Sequence, residues 1–326
     1  MSRRPLAAVA GAVLALALAA CAPPLPTPQP DAVPVVLPAA LSTAQVERVL
    51  AGLGETLAAA DAAASVEALG PRVAGPAATL RAAQYVRLAA GDATALTVIP
   101  AEGQTLVVPV TDTWPRTAMV VTAAPEDLRA PLLLTLVQDA PRDPYRLWSW
   151  VRLFPGVQMP PTTQPGIGSA PVAVDDAALV LSPTDVLAQY VDVLTNRDSS
   201  PYAATFAVDP LRTAVAAQRD GWAAAVADKG ALAETYQALG APHALATADG
   251  GAIVVGTVQT VTSITLTDST LTIGDLTAAL LGGTVVKSNL TITWLSVVAF
   301  RVPPAGSADP VQVLGAEHAP VQVTGA

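Results

Sequence analysis

Two stretches, LSTAQVERVL (residues 41–50) and LSPTDVLAQYVDVL (residues 181–194), decide how the chain divides. In each, a serine (Ser42 or Ser182) stands at a helix N-cap position, with Gln45 or Asp185 three residues on and apolar residues following at helical spacing. Pro183 suits a first helical position, where its missing N–H costs nothing. A second helical stretch follows each start: GPAATLRAAQYVRLAAG (75–91) and DPLRTAVAAQRDGWAAAVADKG (209–230). After each pair of helices the apolar period shortens from that of a helix to that of a strand. The alternation predicts strands at 105–110, 117–122, 132–138 and 145–154 in the first half. In the second it predicts 244–248, 252–261, 264–272, a bent or broken 285–300, and a closing pair at 311–314 and 321–324.

Helices first and an antiparallel meander afterwards, twice, describe an α+β chain of two tandem domains, each with helices laid on a curved antiparallel sheet. The domains expected are 41–155 and 181–326. Between them, PGVQMPPTTQPGIGSAP (155–171) carries five prolines and three glycines, so 156–180 reads as a Pro/Gly-rich linker. The element order of each half resembles the NTF2-like or cystatin-like cone. That resemblance implies a pocket between helix and sheet, used in some members for acid–base chemistry on small hydrophobic molecules.

The beginning of the chain specifies place. Arg3 and Arg4 precede fifteen residues, 6–20, without a charge, ending at Cys21. A helix of that length reaches about 22 Å, short of the roughly 30 Å a membrane span must cross. Residues 1–20 therefore read as a signal peptide. Leu18-Ala19-Ala20-Cys21 matches the lipobox of bacterial lipoproteins. The resemblance implies a diacylglycerol thioether on Cys21, cleavage before it, and a membrane anchor through covalent lipid on the extracytoplasmic face. Residues 21–40, with seven prolines in APPLPTPQPDAVPVVLPAA (22–40), form a Pro-rich tether of extended polyproline character.

Removal of Arg3 and Arg4 with the leader leaves 15 basic against 26 acidic side chains. Such a surface repels phosphate backbones, so nucleic acid is not an expected partner. Cys21 is the only cysteine, and no internal disulfide can form.

The search for chemistry returns no nucleophile elbow, zincin helix or phosphate loop. Neither His243 nor His318 has metal-ligand spacing around it; Glu317 and His318 are adjacent and would point to opposite faces of a strand. Both histidines are expected at a surface or sheet edge, and no cofactor is expected beyond the acyl lipid. Acid–base candidates are Asp61, Glu67, Tyr85, Asp192, Tyr202 and Tyr236, none placed inside a cavity by the sequence. The most distinctive pattern is RLWSWVRLF (146–154), where period two would set Arg146, Trp148, Trp150, Arg152 and Phe154 on one face. That face is either a platform for glycan or peptide, or a layer packed beneath the helices. TDTWPRTAMVVT (111–122), PYRLWSWVRLFPGVQ (144–158) and DPVQVLGAEH (309–318), with lipobox and tether, resemble an actinobacterial family of cell-envelope lipoproteins. The resulting expectation is a lipid-anchored binding or scaffold protein of the envelope, its partner a protein, glycan or lipid. Alternatives are a carrier of an apolar ligand or a small isomerase or dehydratase.

Overall fold

The computed structural model describes residues 37–124 and 129–326. The leader, the lipobox residues Leu18, Ala19 and Ala20, Cys21 and the tether as far as residue 36 lie outside the described residues.

Helix α1 (Thr43–Ala63) begins as its sequence predicts: Ser42 accepts from the Gln45 amide while the Gln45 side chain accepts from the Ser42 amide. A short 3-10 turn (Glu67–Arg72) leads to α2 (Gly75–Ala89). Strands β1 (Gly103–Val107), β2 (Arg116–Thr122), β3 (Leu132–Gln138) and β4 (Arg146–Leu153) then form an antiparallel meander. The second half repeats the order with α3 (Pro183–Asn196), α4 (Pro210–Val226), β5 (Gly230–Ala246) and β6 (Ala252–Leu266). An excursion follows, β7 (Leu271–Thr272), α5 (Asp275–Leu281) and β8 (Val285–Val286), before β9 (Asn289–Val302) and β10 (Gln312–Gly325).

Two tandem domains do not form. The eight long strands make one sheet in the order β1-β2-β3-β4-β10-β9-β6-β5, joined where Gly315 and Ala316 of β10 pair with Leu153 and Arg152 of β4. Cooperation between the halves is a packing fact as well. One apolar cluster takes Met119, Leu133 and Val151 from the first half together with Ile253, Val255, Leu295 and Val297 from the second. Neither meander could bury that face alone, because the apolar surface that covers it belongs to the other. The NTF2-like expectation falls with the tandem arrangement.

The opposite face of the second meander carries its own helices. Val254, Val298 and Phe300 pack under α3 and α4 with Leu187, Tyr190 and Leu211. Gly256 lies so close to α3 that a Cβ there would stand 2.4 Å from Leu187 Cδ1. Below these, Trp294, Ile292 and Ile264 are covered by Val226 of α4 and by the excursion.

The stretch expected to be a linker is part of the sheet system. Ser169 and Val110 pair across to the β1 side (Ser169 N to Val108 O, 2.8 Å; Val110 N to Ser169 O, 2.9 Å). Ala170 and Val172 pair with β5 (Ala246 N to Ala170 O, 2.9 Å; Val172 N to Ala244 O, 3.2 Å). Residues 169–172 thus link the segment that follows β1 to the end of β5. The proline content that suggested a linker fits a stave that needs few N–H donors. Gly168 makes the approach: its φ is +81°, and a Cβ there would lie 2.5 Å from Val110 Cγ2.

Other strand limits moved for physical reasons. The run 230–243 reads poorly as a strand because Gly240, Ala241 and Pro242 interrupt it, yet they form a bulge between Leu239 and His243 and pairing resumes beyond. Likewise 312–325 is one strand, carried past Leu314 and Val321 by two bulges.

Gly168→Ala, combining a strained φ with a clash, should lower unfolding free energy by about 1–3 kcal/mol in urea titration. Intact protein should unfold in one cooperative transition, whereas residues 41–155 or 181–326 expressed separately should show none.

Candidate functional site

The aromatic pattern of β4 does not become a ladder. Val137 pairs with Arg146 and Leu134 with Trp150. Those β3 residues are three apart and face opposite ways, so Arg146 and Trp150 do too. Trp148 is the extra residue of the bulge that causes the flip. Arg146 pairs with Asp139, and the Arg152 guanidinium donates to Ala130 O at 2.9 Å. Trp150 is fully buried, with the Arg81 guanidinium 5.6 Å from its ring centroid, and Phe154 packs against the core beneath α3 and α4. Of the four residues expected to form a binding face, Trp148 lines a cavity of appreciable size.

That cavity, about 430 Å³, opens between the N-terminus of α2 and the second meander. Its walls are Trp148, Leu239, Leu295 and Val321, with Pro76 and Thr79 of α2 on one side. Trp148 is set by Gly75, whose φ of +55° turns the chain into α2 and whose missing Cβ leaves room: one there would be 2.7 Å from the indole Cδ1. Behind Trp148 its ring meets His243 edge to face, centroids 4.4 Å apart at 72°. His243 is fixed in turn by a 2.9 Å hydrogen bond between Nδ1 and Thr117 Oγ1. The bulge thus lets a β5 side chain reach across to β2 and brace the indole from behind.

Polar groups in the wall are few. Thr257 is buried and its hydroxyl has no hydrogen-bond partner, while Gln259 accepts at 2.9 Å from Gln237. Burial lowers the His243 pKa to about 4, opposed weakly by Asp139, so the imidazole is neutral at pH 7. His318 is lowered to about 4 by burial as well. It stacks on Trp294 at 5.1 Å and 9° and hydrogen-bonds Ser296 at 2.8 Å, with Gln218 of α4 at 3.4 Å. His243 does lie on the edge strand β5, half-buried under the Trp148 indole, whereas His318 is on an inner strand, half-buried between Trp294 and α4. Glu317 lies on the other face from His318, its carboxyl pKa raised by burial against the pull of Arg152, Arg81 and Arg87.

The acid–base candidates are scattered. Tyr85 donates to Asp61 at 2.8 Å, and Arg81 lies 3.4 Å from the same carboxylate. Ser200 donates to Asp192, and Tyr236 to Glu234 at 2.7 Å. Tyr202 is exposed, and Glu67 lies in the first turn of the 3-10 segment. None lines the mouth cavity. Among the described residues no group of three or more His, Cys, Asp or Glu could hold a metal ion, and no helix is long and apolar enough to cross a membrane.

A family profile described as Domain of unknown function (DUF8094) matches residues 38–325. The chain belongs to the DUF8094 family. No curated protein and no solved structure matches it. The DUF8094 match begins beside the first described residue, Leu37, and runs through β10, so the single sheet rather than either half corresponds to the family unit. Sequence reasoning missed most of the DUF8094 cavity wall, since Leu239, Thr257, Leu295 and Val321 meet only when the sheet curls. Trp148 alone was legible, as an aromatic in a chain poor in them.

Both histidines have folded pKa values below the ordinary 6.5, so unfolding takes up protons in the window between about pH 6.5 and 4. Their contribution is full above pH 6.5 and lost as pH falls toward 4, on the order of 3 kcal/mol each at most. Unfolding free energy measured across that window should fall with pH, and His318→Gln should flatten the slope.

Proposed function

We propose that this is a lipid-anchored protein of the extracytoplasmic face of the cell membrane that binds a small, mainly apolar molecule in the mouth cavity. The observation carrying the binding reading is the cavity beneath the braced indole of Trp148, walled by Leu239, Leu295 and Val321. At about 30 Å³ per water-sized volume it has room for roughly fifteen non-hydrogen atoms. The dominance of apolar walls with a few polar groups is what small-molecule sites ordinarily offer. The unpartnered Thr257 hydroxyl and the Gln259 amide would orient one polar end of such a ligand.

Two features argue for binding rather than turnover. The neutral His243 is engaged by Thr117 and covered by Trp148, and no Asp or Glu lines the cavity. The anchoring half of the reading rests on the lipobox and Cys21, and the tether would hold the folded body off the bilayer. A scaffold role toward an envelope protein or glycan is the alternative; it would use the outer surface and leave the cavity empty.

Lauric acid, added to the full chain in detergent-free nanodiscs, should quench or shift tryptophan emission saturably. Trp148→Ala should weaken its binding at least tenfold, while Trp222→Phe should leave it unchanged. Absence of saturable binding, together with native mass spectra free of any co-purified small molecule, would overturn the reading. Separately, Cys21→Ser should abolish labelled palmitate incorporation and release the protein from the membrane fraction.

A further inference from the structure

A second cavity, of about 310 Å³, opens at the start of α1 against the β3–β4 turn. It shares no lining residue with the mouth cavity. Two arginines, Arg48 of α1 and Arg72 at the end of the 3-10 turn, line it. Among the described residues neither has a carboxylate within 4 Å, whereas Arg81, Arg87, Arg146, Arg197, Arg212 and Arg301 each hold one. In a chain with 26 acidic side chains against 17 basic ones, two arginines in the wall of one cavity without an acid partner among the described residues call for an explanation.

Tyr145 lines the same cavity. It is 5% exposed, and its hydroxyl has no hydrogen-bond partner. Leaving a buried hydroxyl unpaired costs roughly 1–3 kcal/mol unless something else satisfies it. Arg116, stacked on Trp114 at 3.8 Å, is near enough to act on that phenol electrostatically. The cavity also borders the first turn of α1, through Leu41 and Gln45. That helix has 21 residues and no acidic side chain in its first turn, so its positive end, though capped by Ser42 and Gln45, faces no opposing charge there. Two guanidinium forks and one phenolic donor supply donors in several directions at once. A tetrahedral anion uses such a set fully, and a planar carboxylate would leave part of it idle.

We propose that this cavity binds a phosphate group. Asp143 is the one carboxylate in its wall, and it offsets part of the charge of Arg48 and Arg72. The Gln138 amide is already spent, bonded to the Asp143 carbonyl at 2.8 Å and accepting from Trp114 at 3.0 Å. The phosphate is therefore held by Arg48, Arg72 and Tyr145. It comes either free or on a glycerol headgroup, and the chemistry that recognises it is the same.

The full chain, solubilised in detergent at pH 7, is titrated with inorganic phosphate and with sn-glycerol 3-phosphate, against chloride and acetate at equal ionic strength. Binding is read by calorimetry and by the unfolding midpoint, which rises with free ligand when only the folded state binds. Arg48→Gln/Arg72→Gln should weaken binding at least tenfold. Asp143→Asn should tighten it severalfold. Tyr145→Phe should weaken it while leaving the unliganded midpoint unchanged or higher. Saturation by inorganic phosphate assigns the site to the free anion, and saturation by the glycerol ester alone assigns it to a phosphoglyceride headgroup. No binding beyond the chloride control by either ligand, or binding undiminished in the double arginine variant, would overturn the proposal.

Discussion

Edge pairing of backbone groups governs this molecule. A strand edge in water exposes a row of N–H and C=O groups that invite another chain. Four-stranded meanders leave two such edges each, and this chain resolves most of the problem internally. Pairing between β4 and β10 removes one edge from each meander, and residues 169–172 bond the segment just after β1 (Val108 and Val110) on one side and the end of β5 on the other. Once the strands are tied in that way, the inward faces of both meanders have nowhere to go except against each other. The shared cluster of Met119, Leu133, Val151, Val255 and Val297 is the consequence.

The same closure builds the mouth cavity. The β4–β10 pairing extends over only two residue pairs. Beyond it the chain entering α2 takes the place of β10 beside β4, with Ala74 donating to Leu147 O at 2.9 Å. This places Gly75, Pro76 and Thr79 against Trp148 at the opening. Bulges then direct the side chains. The one at Trp148 breaks the alternation of β4, and the one after Leu239 lets His243 reach Thr117. Two one-strand irregularities thus convert a regular sheet end into a walled site, which is the usual role of bulges near functional surfaces.

Helix placement follows electrostatic as well as apolar logic. Arg81 is almost completely buried, yet it is held by Asp61 of α1, by the Gln84 side chain at 2.8 Å and by Thr97 O at 3.0 Å. Tyr190 donates to Asp209, whose carboxylate also caps α4. In both cases a buried polar group locks two helices together rather than serving chemistry. Arg48 of α1 and Arg72 of the 3-10 turn differ in having no carboxylate within 4 Å among the described residues.

Local order was written plainly in the sequence: Ser42 and Ser182 cap helices where predicted, and β2, β3 and β4 fall close to their apolar alternation. Those features depend on hydrogen bonds three or four residues apart and on side-chain period, which neighbouring residues suffice to set. Which edges pair, which face each half buries, and the fate of the 155–171 stretch were decided only by tertiary structure. Pairing of Ala316 with Arg152 joins residues more than 160 positions apart, and no periodicity encodes such a meeting. The bulge at Trp148 is invisible for a related reason: one extra residue opposite Thr135 and Leu136 reverses the facing of Arg146 relative to Trp150, and only the partner strand reveals it.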